Sequence, residues 1–140
     1  MFAFRKIFII TIATGLLLSA CGGQKATEVK ITLTEFGTNS SITDFKVGVP
    51  YHFVVTNAGS VNHEITIMPP MTEEELSMGM DMAELDKMAL AMISADELTP
   101  GATKSFDYTF TEPAPAGSLE FACHTPGHYE AGMKLPITVK

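Results

Sequence analysis

Short runs of alternating apolar and polar residues recur along this chain and constrain its fold more than any other feature. The first run, 28–36, places Val29, Ile31 and Leu33 on one side with polar residues between them, which is the pattern of a half-buried strand. Gly, Pro, Asn or Ser stands in most of the breaks between runs, as expected where a chain turns. The further strand-like runs are 42–47, 51–56, 61–68, 103–111, 118–123 and 135–140. The pattern predicts an all-β sandwich of about seven or eight strands.

The segment 69–100 breaks this pattern, because it contains few β-branched residues. Asp81 and Glu84 have the spacing of a helical capping box. Thr72 and Glu75 offer a second one for a shorter helix, separated from the first by a glycine. The residues that share one face of the longer helix are Met82, Leu85, Ala89, Met92 and Ile93. We therefore expect an insertion of two helical pieces between strands of the sandwich.

The N-terminus carries a separate signal. Two cationic residues precede an uncharged apolar run, 7–18, which is too short to cross a bilayer comfortably as a permanent helix. The run ends in Leu-Ser-Ala-Cys, 18–21, which resembles the lipobox of bacterial lipoproteins. The alternative is an ordinary secretory signal with a chance cysteine. We expect residues 1–20 to be a signal peptide, 21–27 to be a lipidated Cys21 with a flexible tether, and 28–140 to be the folded domain.

Charge and composition narrow the function. Without the signal peptide, seven Lys and Arg residues face sixteen Asp and Glu residues, a net charge of −9. Such an acidic chain is not expected to bind nucleic acid, whose phosphates would repel it. Its charge favours docking on a basic patch of a protein partner. The alternative is that the charge only keeps the protein soluble. The length, 140 residues, favours a single domain, which we expect to be monomeric. We expect its lipid to hold it on the extracytoplasmic side of a membrane, either at the periplasmic face of the outer or inner membrane or at the cell surface.

Four residues form a candidate metal site. Cys123 is followed by His128 after four residues and by Met133 after four more, with a Pro-Gly turn inside this loop, and His63 lies sixty residues upstream. A thiolate, two imidazoles and a weak axial thioether are the ligands of a type 1 blue copper site. The alternative is a buried free cysteine, two surface histidines and a core methionine. We expect one copper ion per chain.

The loop Cys-x-x-Pro-Gly-His-x-x-x-Gly-Met, 123–133, resembles that of the cupredoxins, and within them most closely the rusticyanin type, with azurin and plastocyanin types more distant. The resemblance implies a Greek-key β-sandwich with copper near one end and the same four ligands, including the upstream His63. Glu64 departs from the Asn or Ser that several relatives carry after that histidine. Multicopper oxidases share the loop spacing but carry a histidine where this chain has Ala122, so a trinuclear oxygen-reducing cluster is not expected.

Other residues allow two interpretations. His52 and His124 fit no ligand pattern and are expected to be surface residues. Seven of the nine methionines lie in or next to the insertion; they either fill its contact with the sandwich, form a docking patch or capture Cu(I) with soft thioethers. The candidate secondary Cu(I) ligands are Met78, Met80 and Met82.

These observations favour an electron-transport protein over an enzyme. The expected function is to carry single electrons between redox protein partners by Cu(I)/Cu(II) cycling, with exchange through the edge of His128. The alternative is a copper-handling protein whose Met-rich insertion helps to buffer or deliver Cu(I). A copper redox enzyme would need a second histidine cluster, which the sequence does not contain.

Overall fold

Two β-sheets pack face to face in the computed structural model, which describes residues 24–140 apart from the side chains of Ser77 and Met82. Within these residues one sheet has the strand order β2-β1-β4-β7 and the other β3-β9-β8-β5-β6. The strands are β1 (Thr27–Thr34), β2 (Gly37–Ser40), β3 (Asp44–Phe45), β4 (Pro50–Asn57), β5 (Ile65–Met68), β6 (Ala91–Ile93), β7 (Thr103–Thr109), β8 (Ala114–Ala122) and β9 (Lys134–Val139). The predicted Greek-key β-sandwich is confirmed.

The alternating pattern of the sequence builds the core. Val29, Ile31 and Leu33 of β1 are all buried, and they lie on the same side of the strand because successive side chains point to opposite faces. On the neighbouring strand β4, Phe53 is fully buried, and its ring lies 5.8 Å from that of Phe45 across the sandwich. Burial of each such side chain contributes about 1.5–3 kcal/mol to folding.

Two short strands were missed by the sequence analysis. The strand β2 consists of small polar residues that read as a turn, and of these only Thr38 is buried. The strand β6 lies in the insertion and pairs with β5 in antiparallel register. The run predicted over 61–68 becomes a strand only from Ile65, so that the stretch before it is a loop.

The insertion forms two helices, as predicted, but the second is shorter than expected. Helix α1 spans Glu73–Met78 and helix α2 spans Met82–Asp86. Both caps are present: Thr72 Oγ1 accepts from Glu75 N at 3.2 Å, and Asp81 Oδ1 accepts from Glu84 N at 2.9 Å.

The predicted helical face from Met82 to Ile93 is wrong beyond Asp86. Leu90 N donates to Ile67 O at 2.8 Å, which starts the pairing with β5, and Ile93 is buried in the core. Pairing with a sheet edge therefore outweighs the helical periodicity of this stretch.

The N-terminal predictions fall outside this part of the chain. The signal peptide 1–20 and the lipidated Cys21 belong to residues that the structure does not describe. Between residues 24 and 140, no helix is both long and apolar enough to span a bilayer.

Candidate metal centre

Strand pairing brings His63 and Cys123 together from distant parts of the sequence. Cys123 follows the end of β8, and His63 lies in the loop before β5, which is paired with β8 through Thr66 and Ala122. The backbone N–H of Glu64 donates to Cys123 Sγ at 3.4 Å, so the two segments are joined next to both candidate ligands.

His128 completes a cluster of three donors. Its Nδ1 lies 3.4 Å from Cys123 Sγ and 3.1 Å from His63 Nδ1, while Cys123 Sγ and His63 Nδ1 are 3.9 Å apart. For bond lengths of about 2.0 Å to nitrogen and 2.3 Å to sulfur, a trigonal site separates its donors by about 3.5–3.7 Å. The three donor atoms therefore already have nearly the spacing that a metal ion requires.

The loop from Cys123 to Met133 is closed by backbone hydrogen bonds. Cys123 N donates to Met133 O, and Met133 N donates to His128 O, each at 3.0 Å. Gly127 and Gly132 have φ angles of 83° and 101°, which residues with side chains rarely adopt. Met133 is fully buried beside the cluster. That its thioether is the fourth ligand stays a prediction.

The protonation states of the donors follow from burial. Burial raises the pKa of the Cys123 thiol, and hydrogen bonds with Thr125 and Glu64 oppose this only in part. Burial also lowers the pKa of His63, and the neighbouring His128 lowers it further. Without a cation the site therefore favours a neutral thiol and a neutral His63, whereas a metal ion would take the thiolate and release its proton.

His63 is supported from behind by the loop that precedes it. Its Nε2 is buried without a hydrogen-bond partner, and a Cβ placed on Gly59 would lie only 2.8 Å from that nitrogen. The side chain of Asn57 holds this loop by donating to Val61 O and Leu98 O, each at 2.8 Å. The ring of His63 thus has little room to retreat from the cluster.

The prediction that His124 is a surface residue is wrong. Its side chain is 2% exposed, and its Nδ1 lies 3.5 Å from Glu64 Oε1, which also accepts from His124 N at 2.7 Å. The side of the chain opposite Cys123 is covered by Glu64, Thr66 and the ring of Tyr129 rather than by water. Glu64, an acidic residue directly before the mostly apolar strand β5, was the available signal for a buried polar partner.

A second buried polar pair was also missed. The hydroxyl of Tyr129 donates to Glu120 Oε1 at 2.6 Å and accepts from Met71 N at 3.2 Å. Burial and the hydrogen bond with Glu120 raise the pKa of Tyr129 to about 12. The ring of Tyr129 stacks on that of His124, with centroids 5.0 Å apart. These contacts tie the segment 123–133, here named the copper loop, to the insertion.

His52 and the methionines have different surroundings. His52 is a partly exposed residue paired with Asp107 at 2.6 Å, which confirms its surface position. Among the candidate Cu(I) ligands, Met78 is 63% exposed, whereas Met80 lines a cleft beside the copper loop. The side chain of Met82 is outside the description. Met78 is therefore exposed to solvent, whereas Met80 is part of the cleft.

A family model described as copper binding proteins, plastocyanin/azurin family, matches residues 24–140. This chain belongs to that family. Two copper-resistant cuproproteins named CopI are similar to it: that of Rubrivivax gelatinosus is 33% identical over 93 residues, 66% of this chain and 53% of its own length. That of Pseudomonas aeruginosa is 26% identical, with 86% of this chain and 80% of its own length aligned. The chain thus spans about half the length of the Rubrivivax relative.

Two solved structures have a similar fold. Reduced auracyanin from Roseiflexus castenholzii superposes with a TM-score of 0.59 at 21% identity, covering 84% of this chain and 99% of its own. An azurin from Methylomonas sp. strain J superposes with a TM-score of 0.60 at 13% identity, covering 83% and 99%. Copper as the cofactor agrees with the family and with the His63, Cys123 and His128 cluster.

Proposed function

We propose that this protein binds copper outside the cytoplasm and contributes to copper resistance, with one copper held by His63, Cys123, His128 and Met133. The observation that carries the proposal is the convergence of two imidazoles and a thiol at one end of a sandwich of the copper-binding family. The name of three relatives, copper-resistant cuproprotein, supports the same direction. Thiolate and imidazole together suit both oxidation states of copper.

The proposal includes a location and a mode of contact. Acylation of Cys21 would attach the domain to a membrane, and the tether predicted over 21–27 would leave it a short distance from the surface. The acidic domain would meet protein partners through their basic patches, with association that weakens as salt is added. Bond-making catalysis and nucleic-acid binding are not part of the proposed function.

Growth in copper tests this proposal. A strain without the protein is complemented with the wild type, with Cys123→Ser or with the control His52→Gln, whose histidine is on the surface. We expect the wild type and His52→Gln to restore growth in copper, and Cys123→Ser to fail. Growth in zinc serves as the control for metal specificity. Equal copper tolerance with and without the wild-type protein would contradict a role in resistance.

Electron transfer is the second candidate function, and one observation favours it. His63 and Cys123 are fully buried, while His128 is partly exposed, so one imidazole edge connects the cluster to the surface. Donors that already have the spacing of the bound state need little rearrangement when the charge of the metal changes.

The rate of electron self-exchange tests this second candidate. In a mixture of reduced and oxidised protein, rapid exchange broadens the nuclear magnetic resonance lines of residues near the loop. We expect broadening that depends on protein concentration, and a faster rate in Glu130→Lys if the face beside His128 is the contact, because two acidic copies then repel each other less. Slow exchange in the wild type would remove the support for a carrier and leave copper resistance in place.

A further inference from the structure

A cleft of about 370 Å³ lies between the copper loop and the helical insertion. Pro126, Gly127 and Tyr129 of the loop form one wall, and residues of α1, α2 and their connection form the other. The residues of interest that line it are Met71, Met80, Asp81, Leu85 and His124. The cleft is distinct from the cluster of His63, Cys123 and His128, because none of those three residues lines it.

His124 brings an unpartnered nitrogen to this cleft. Its Nδ1 is taken by Glu64 and Thr66, each at 3.5 Å, but its Nε2 is buried with no hydrogen-bond partner. A buried polar atom without a partner costs about 1–3 kcal/mol. A residue that lines the cleft thus holds an unpartnered imidazole nitrogen, a donor that copper accepts.

Helix α2 contains a second unpartnered atom, in the residue that follows the opposite wall in sequence. Asp86 follows the lining residue Leu85 in α2, and its Oδ1 is also buried without a partner. Carboxylates of Glu75, Asp81 and Glu130 line the cleft, and its described lining includes no Lys or Arg. The negative charge of these groups favours a cation between the walls.

Two methionines supply soft donors at the same place. Met71 and Met80 both line the cleft, and Met71 N is held by the hydroxyl of Tyr129, whose ring stacks on His124. Thioethers and imidazole suit Cu(I), whereas Ca²⁺ and Mg²⁺ prefer oxygen. Because methionine is flexible, its sulfur can adjust to an ion at the position that the imidazole defines.

We propose that this cleft is a second copper site, in which His124 Nε2 and the thioethers of Met71 and Met80 bind Cu(I). The choice of copper rests on the proposed function. An ion bound there would lie next to the loop that carries Cys123 and His128, so the two sites would be neighbours across one segment of backbone. The exposed Met78 is not a ligand.

Anaerobic titration with Cu(I) in competition with bicinchoninate tests the second site on the purified mature protein. We expect two Cu(I) per chain in the wild type and one in Met71→Leu/Met80→Leu, which nearly conserves side-chain volume. Met78→Leu is the matched control and should bind two. X-ray absorption of the wild type should show additional sulfur around copper relative to the double variant. A folded His124→Gln should also bind one.

Each result has a separate meaning. One Cu(I) per chain in the wild type would overturn the second site, as would a loss in Met78→Leu together with full binding in the double variant. The proposed function has its own readout, the strong thiolate-to-Cu(II) absorption at one copper per chain. A wild type that shows this absorption but binds a single Cu(I) would leave the proposed function standing without the cleft site.

Discussion

Gly59→Ala tests whether the loop behind His63 holds that ligand against the metal. The added Cβ would lie 2.8 Å from His63 Nε2 and 3.2 Å from both Asn57 Oδ1 and Glu35 Oε1. Contacts below 3.0 Å are essentially never seen for a Cβ atom, so the ring must shift by a few tenths of an ångström. Metal-ligand distances tolerate only about 0.2 Å. Nδ1 is separated from Nε2 by one ring carbon and moves with the ring, so the substitution shifts this donor beyond the tolerance.

The expected loss of Cu(II) affinity is about 10- to 100-fold, the range for changes to groups that orient a metal ligand. A chelator competition at pH 7 measures the affinity, and paramagnetic resonance measures the change in copper geometry. Gly37→Ala is the control, because its Cβ meets only Thr34 Oγ1, at 3.3 Å. Neither glycine has the left-handed backbone that an alanine would strain. If a folded Gly59→Ala keeps wild-type affinity and spectrum, the contact with His63 does not position the ligand.

Three further predictions concern the proton, the metal and the buried tyrosine. Burial raises the pKa of Cys123, so its thiol is protonated below that pKa and copper affinity should rise with pH. Calorimetry at pH 8 in buffers of different ionisation enthalpy should find about one proton released per copper. A release that persists in Cys123→Ser would contradict the assignment of this proton to the thiol. Copper at 100 times its Kd should raise the free energy of unfolding by about 2.7 kcal/mol, measured by urea unfolding with and without metal. The same free energy of unfolding in both conditions would mean that the folded state has no specific site. Tyr129→Phe removes the hydroxyl that donates to the buried Glu120 carboxylate and should destabilise the protein by about 1–3 kcal/mol. The control is Tyr108→Phe, and equal stabilities of the two variants would show that the buried pair does not stabilise the fold.

The fold was predictable where one face of each strand is buried. The apolar residues of β1 and β4 alternate because each strand faces the core on one side only, so their pattern could be read without the structure. The strand β6 could not be predicted, because Ala91 to Ile93 continue a helical pattern and become a strand only through pairing with β5. The capped starts of α1 and α2 were readable, since the capping groups are local in sequence.

The candidate centre was predictable because three of its residues lie in one short loop. The spacing of Cys123, His128 and Met133 identifies the loop, and the structure brings the upstream His63 to it. The surroundings of His124 were not predictable, because they come in part from Glu64 and Thr66, which are remote in sequence. Alternation correctly separates its side chain from Cys123 but does not tell which face the insertion covers.

The most direct test of the account is the spectrum of the purified mature protein after copper loading, with copper counted per chain. We predict a strong visible thiolate-to-Cu(II) absorption and a paramagnetic-resonance signal with narrow copper hyperfine splitting, both absent from Cys123→Ser. A folded wild-type protein that takes up no copper, or whose Cu(II) spectrum is the same in Cys123→Ser, would contradict a centre built on His63, Cys123 and His128.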